Sequence, residues 1–354
     1  MKQMLTRKQL VNTLQNRSLS LVIADAGWGK TWLGQQILTN MANKYPCWSH
    51  IFHQKAIDEG ESFLVQFANF LAEHGRLKLQ HYLQRQLYTQ QGKQLVWDIE
   101  LKTILTESLH DFACFLWFDD LQVLYHDSLT EQIVRWLSHN KPNLTHLLLT
   151  GRSYPPEWSN LSAVVKLKGL TTTEIQTWFS SDSDLVQYIQ EPTRFELIEQ
   201  ETERHPLLLK LFVILVKANH AKFALESFQK SQQATNYLKP SLDDKVNGLL
   251  EGIWHHVLDE SEHRLLSQVA LLLQPEKTNL IQQLKKHAIS NIDDIIKRLE
   301  SFFLLHLSMA SMDEEKEVSL FHGVFQEYIR KHISHSMPLF TTTNQHHSKK
   351  RFTY

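Results

Sequence analysis

The chain is poor in the residues that interrupt helices. Its 354 residues include 11 glycines and 9 prolines, which excludes collagenous and low-complexity architectures and leaves long stretches free to be helical. Cysteine is scarce. Cys47 and Cys114 are too few for a disulfide-stapled secreted scaffold, and both lie in apolar, strand-like surroundings that suit buried reduced thiols. No charge of one sign dominates. With 37 Lys+Arg against 38 Asp+Glu, the net charge of −1 gives the whole molecule no attraction for nucleic acid or acidic lipid. Long apolar runs are also missing. The longest, Leu207–Val216, is interrupted by Lys210, whereas a bilayer-spanning helix needs about 20 apolar residues. The opening MKQMLTRKQL lacks the apolar centre of a signal peptide. The expectation is a cytoplasmic chain without membrane contact. The 20 histidines show neither an HExxH pattern nor a neighbouring cysteine pair, so no zinc site is expected.

What is present is the stretch Leu21–Leu38, LVIADAGWGKTWLGQQIL. A short apolar run, Leu21-Val22-Ile23, enters a small-residue loop from Ala24 to Gly29, and a helical pattern follows. Strand, loop and helix in this order are the context of a phosphate-binding loop. Glycines let backbone N–H groups turn inward on a phosphate chain, and the helix N-terminus adds partial positive charge. Ala26, Gly27, Trp28, Gly29, Lys30, Thr31 and Trp32 are therefore the candidate nucleotide-binding residues. Lys30 would reach the terminal phosphates and the Thr31 hydroxyl would ligate Mg²⁺. The strict motif begins with glycine, and here that position is Ala24, so the loop must keep ordinary backbone angles there. A glycine-containing strand–helix turn that binds nothing has the same local pattern.

Up to about residue 170 the pattern alternates strand and helix. Strands are expected at Leu21–Ile23, Cys47–Phe52, Cys114–Phe118, Leu147–Thr150 and Val164–Leu167. Helices are expected at Lys30–Ala42, Ser62–Glu73, Leu95–Leu109 and Leu129–Ser138. Such alternation implies a parallel α/β sheet. From Thr172 the strand signals fade, and Thr172–Phe179, Leu185–Ile189, Phe195–Gln200 and Pro206–Lys217 read as a helical subdomain. Glu226–Asp244 is polar and reads as a linker or connecting helix. Helices at Val246–Val257, Glu260–Leu273, Asn279–His287 and Ile292–Ser301 then precede a short hairpin, Phe302–Met309 with Val318–Phe321, which is a winged-helix pattern. The domains expected are 1–170, 171–240 and 241–335, followed by a flexible basic tail at 336–354.

A phosphate loop needs a second element to hold the metal. Phe115–Asp120, FLWFDD, is an apolar strand ending in two carboxylates, and its C-terminal end would lie beside the loop. Asp119 would bind Mg²⁺ through water beside Thr31, and Asp120 would polarise an attacking water. Asp120 and Lys30 are the candidate catalytic residues, and Thr31 and Asp119 the candidate metal site. The next strand ends in Gly151-Arg152, where an arginine can reach a terminal phosphate and sense its loss. A strand-end Asp pair capping a turn, and a surface arginine, would read the same way.

Taken in order, LTRKQL (5–10), ADAGWGKT (24–31), CW (47–48), FDDLQ (118–122), LLLTGRSYPP (147–156), ERHPLLL (203–209) and FHGVFQEYIR (321–330) resemble the nucleotide-binding module of MalT/LuxR-type transcriptional regulators. These are signal-transduction ATPases with numerous domains (STAND). The resemblance covers about residues 5–335. It implies a P-loop ATP/ADP switch with slow Mg²⁺-dependent hydrolysis, acting in transcription or signalling. Arg7 matches the arginine that precedes the module. Pro206 matches a proline that packs near the adenine, and His322 a winged-helix histidine that contacts the β-phosphate of ADP in related switches. The glycine that usually precedes the proline segment is Arg204 here. MalT-like proteins continue into helical sensor repeats and a DNA-binding helix-turn-helix, and neither is expected in this chain.

The resemblance further implies a protein partner or self-association in the ATP state. A competing reading is a winged-helix module for DNA or protein with a vestigial nucleotide site. In it, Ile292–Ser301 would present Lys297 and Arg298, but Asp293, Asp294 and Glu300 make that helix net negative, so DNA binding by this chain alone is not expected.

Overall fold

Five short strands pair side by side, the three central ones largely buried and the two at the sheet edges partly exposed, as in a parallel sheet covered on both faces. In the computed structural model the described residues are 7–52, 59–89, 95–124, 128–154, 164–233, 240–271, 291–302, 304–308, 317–320 and 323–336. The strands are β1 (Leu19–Ile23), β2 (Cys47–Ile51), β3 (Cys114–Asp119), β4 (Thr145–Gly151) and β5 (Val164–Lys166). They form one sheet in the order β2-β3-β4-β1-β5, and every pairing is parallel. The central strand β3, CFLWFD, is buried at all six positions.

Alternation along the strands divides the core in two. Val22, Phe115, Trp117 and Leu148 face α1 (Lys8–Gln15) and α2 (Lys30–Met41), which contribute Val11, Leu14, Leu33, Ile37 and Met41. Leu21, Leu116, Phe118, Leu147 and Leu149 face the opposite layer. That layer comprises α3 (Glu59–Glu73), α4 (Lys78–Thr89), α5 (Ile99–Leu109) and α6 (Leu129–Asn140). At the sheet edge, Trp48 of β2 stacks on Phe67 of α3 with centroids 4.8 Å apart.

The chain parts into two compact units, residues 1–178 and 179–354. After α7 (Thr172–Ser180) come α8 (Val186–Gln190), α9 (Pro192–Thr202), α10 (Pro206–Lys217), α11 (Ala221–Gln233) and α12 (Leu242–Gly252), which runs into a wider turn at Ile253–Val257. Phe212 of the almost wholly buried α10 packs on Phe179, Tyr188 and Phe228. Helices α13 (Glu260–Leu271) and α14 (Ile292–Ser301) precede an antiparallel pair, β6 (Leu305–Ser308) with β7 (Glu317–Leu320), and α15 (Gly323–Ser336).

The structure departs from the sequence expectations at α1, at α4 and at the start of α5. Helix α4 was not anticipated, nor was α1. Residues 95–98 lie outside α5, because the Asp98 side chain accepts the Leu101 N–H at 2.8 Å and caps the helix there. Within Glu226–Asp244, read as a linker or connecting helix, residues 226–233 belong to α11, in keeping with the second of these readings. The expected helix at 279–287, His322 and the basic tail lie outside the described residues. Among the described residues no helix is long and apolar enough to cross a membrane. Cys114 is buried and Cys47 half-buried, both free, and burial pushes their thiols up to about 12 and about 11.

Candidate functional site

The loop between β1 and α2 turns twice through the left-handed region, at Gly27 (φ 81°) and Gly29 (φ 84°). Side-chain-bearing residues rarely adopt that conformation. Ala24, where the strict motif has glycine, is not among the described residues of positive φ. Its N–H donates to the Gly151 carbonyl at 3.2 Å, which ties the loop to the end of β4. A Cβ on Gly29 would meet nothing within 4 Å, so at this residue the helix opens onto free space. Trp28 and Trp32 are half-buried on either side of Gly29 and Lys30.

Lys30 opens α2. Its Nζ donates to the Ala24 carbonyl at 2.6 Å and to the Asp25 carbonyl at 2.9 Å. Burial lowers the Lys30 pKa. The carboxylates of Asp119, Asp120 and Asp25 pull it back up, while Arg152 adds to the lowering. Asp119, Asp120 and Arg152 thus all act on the Lys30 ammonium.

The Thr31 hydroxyl donates to Asp119 Oδ2 at 2.6 Å, across 88 residues of sequence. Asp119 has no exposure to solvent. Its Oδ1 accepts the Asp120 N–H at 2.9 Å and a short bond from the Thr150 hydroxyl. Burial raises the Asp119 pKa and the Asp120 charge raises it further, against the hydrogen bonds from Thr150, Thr31 and the Asp120 backbone. Thr150 in turn accepts the Trp117 Nε1–H at 3.0 Å. Trp117 packs against α2 where Gly34 leaves room: a Cβ there would fall 2.2 Å from the indole.

Asp120 sits at φ 61° and starts a single tight turn at Leu121–Val123. Gln122 in that turn donates its Nε2–H to Asp120 Oδ1 at 2.9 Å, and its Oε1 accepts the Arg152 N–H at 2.8 Å. Gly151 packs closely beside this turn: a Cβ there would lie 3.0 Å from the Ser153 carbonyl and 3.1 Å from the Leu121 side chain.

The structure therefore gathers Gly27, Gly29, Lys30, Thr31, Asp119, Asp120 and Arg152 at the C-terminal ends of β1, β3 and β4. Sequence reading missed Thr150, Gln122 and Gly34 as supporting residues. Only Gly34 left a signal, as a lone glycine inside a helical pattern. Pro206 belongs to the second unit, as the first residue of α10 behind the His205 cap, and it is not described relative to the loop. The donor set suits a magnesium polyphosphate: a loop with two left-handed glycines at the N-terminus of α2, an ammonium, a hydroxyl and a carboxylate. Among the described residues, no group of three or more His, Cys, Asp or Glu forms a separate metal cluster.

No protein-family model matches the chain, and no curated protein matches it by sequence. Among solved structures, the chain is similar to a STAND protein with a tetratricopeptide repeat sensor from Pyrococcus horikoshii. The TM-score is 0.61 at 18% identity, over 93% of this chain and 42% of that one. Cdc6p from Pyrobaculum aerophilum aligns over 94% of this chain and 96% of that one, with a TM-score of 0.38 and 14% identity, too distant to bear on the reading. The chain shares its fold with the Pyrococcus STAND protein, less than half of whose length it spans.

Proposed function

We propose that the chain is an ATP/ADP-binding switch of the STAND type that hydrolyses ATP slowly with Mg²⁺. The observation that carries this reading is the 2.6 Å hydrogen bond from Thr31 to Asp119, which joins the loop to the acidic strand end. In this reading the amides of residues 26–32 cradle the phosphates and Lys30 faces the terminal ones. Thr31 and Asp119 hold Mg²⁺, which when bound neutralises phosphate charge. Asp120 orients a water, and Arg152 faces the terminal phosphate. An ammonium that bonds two loop carbonyls can exchange them for phosphate oxygens, since both are oxygen acceptors.

Beyond residue 170 the chain is read as a helical part at 171–240 and a winged-helix part at 241–335, and the resemblance is what assigns nucleotide contacts to Pro206 and His322. Switching would follow from different affinities of the two packings for ATP and ADP. The role is regulatory and cytoplasmic, with a protein partner or a second copy engaged in the ATP state and the MalT/LuxR relationship carried by the resemblance. Direct DNA binding is disfavoured: Arg298, one of two cations on α14, pairs with Asp259 at 3.3 Å and Glu262 at 3.0 Å.

The test is to purify the chain, denature it and identify the nucleotide released. Bound ADP, lost in Lys30→Ala, is the expected result. A wild-type chain that neither carries nor binds nucleotide overturns the reading.

A further inference from the structure

Gln122 links the acidic end of β3 to the basic end of β4. The β3–β4 ladder stops at Phe118 paired with Leu149, and beyond it the backbones diverge as Asp120 enters its left-handed turn. Gln122 bridges the gap with both ends of its carboxamide. The amide nitrogen donates to Asp120 Oδ1 and the amide oxygen accepts the Arg152 N–H. Each end is matched to its partner, because a carboxylate only accepts and a backbone N–H only donates. The carboxamide is half-buried, so water competes with these bonds less than at an open surface. Gly151 lies beside it, where a Cβ would crowd the Ser153 carbonyl and the Leu121 side chain, at 3.0 and 3.1 Å, and reach contact with Gln122 Oε1 at 3.4 Å.

We propose that Gln122 is the positioning residue of the hydrolytic site. It holds the Asp120 carboxylate in one orientation and fixes it to the backbone of Arg152, so that the water-orienting group and the phosphate-facing group keep a constant separation. The proposal rests on the reading of Asp120 and Arg152 given above. Reacting groups held in register contribute to rate through orientation rather than affinity. Loss of the bridge therefore slows turnover while nucleotide binding stays as it was.

Two substitutions separate the two halves of the bridge. Gln122→Ala removes both bonds. Gln122→Glu keeps an oxygen for the Arg152 N–H but loses the donor and sets a negative charge against Asp120. The full-length chain is assayed by single-turnover hydrolysis of ATP, by ATP and ADP affinity, and by amide hydrogen exchange at Arg152 without nucleotide. Expected for Gln122→Ala are faster exchange at Arg152, turnover lower by about tenfold or more, and affinities within about twofold. Expected for Gln122→Glu are wild-type exchange at Arg152 and the same fall in turnover, a combination that a purely structural role would not produce. Wild-type or faster turnover in both variants overturns the proposal and leaves the switch reading intact. A wild-type chain that neither binds nor hydrolyses ATP overturns both.

Discussion

Replacing Thr150 with valine tests how the carboxylate at the end of β3 is held. The threonine hydroxyl has one proton and two lone pairs. It receives the Trp117 indole N–H at 3.0 Å and gives its proton to Asp119 Oδ1. Valine keeps the branched shape, so little cavity forms and the cost isolates the two hydrogen bonds. Trp117, Asp119 and Thr150 are all buried, so water cannot replace the lost partner. An unpaired buried donor costs about 1–3 kcal/mol, and a carboxylate that loses one of several partners costs about 1 more. Destabilisation of about 2–4 kcal/mol follows, which for a unit of this size lowers the melting temperature by roughly 5–15 °C. Thr150→Ser retains the hydroxyl and loses a methyl, for about 1 kcal/mol.

The cost of Thr150→Val also depends on pH, with a definite sign. Burial holds the Asp119 pKa above its ordinary value, and the Thr150 hydroxyl counteracts this by bonding to the ionised form. A raised folded-state pKa means that the native state binds more protons than the unfolded chain between the two values. Stability then falls as pH rises through that interval. The valine variant raises the folded pKa further, so its penalty is greatest at neutral pH and shrinks towards and below the ordinary carboxylate range. Urea unfolding at several pH values measures this. A variant within about 0.5 kcal/mol of wild type at neutral pH, or a penalty that grows on acidification, refutes the reasoning.

Three further outcomes are expected. Asp119→Asn removes a buried charge, so the nucleotide-free protein should melt at a higher temperature at neutral pH while Mg²⁺-dependent nucleotide affinity is lost, as calorimetry with and without Mg²⁺ would report. Gly34→Ala places a methyl 2.2 Å from the Trp117 indole. Overpacking of about 1–3 kcal/mol should outweigh the gain of about 1 kcal/mol in helix propensity, giving net destabilisation in denaturant titration. Arg204 lies in the left-handed region at φ 56°, so Arg204→Gly should stabilise the second unit by about 1 kcal/mol in the same assay.

The central strands were readable as short, mainly apolar runs bounded by polar residues, with β3 buried on both faces, whereas β2, CWSHI, is mixed and only partly buried. The loop and the Asp pair were readable because both lie at strand ends, where topology alone brings them together. Helix α4, KLQHYLQRQLYT, escaped because polar residues dilute the period of the buried Leu79, Tyr82 and Leu83. Helix α1 escaped likewise, with Val11 and Leu14 its only buried residues. The start of α5 depends on the Asp98 cap rather than on periodicity. The relay from Trp117 through Thr150 to Asp119, and the Gln122 bridge, depend on strand register and on a left-handed turn, and single-residue patterns carry neither. Arg204 shows the converse. The resemblance marked it as a departure from glycine, and its positive φ supplies the physical reason a glycine suits that position.

The most direct test is a titration of the full-length chain with ATP, with and without Mg²⁺, beside Lys30→Ala. The account predicts binding that strengthens with Mg²⁺ in the wild type and is lost when the ammonium is removed. Equal affinity in the two proteins would contradict a polyphosphate seated on the turn at Lys30.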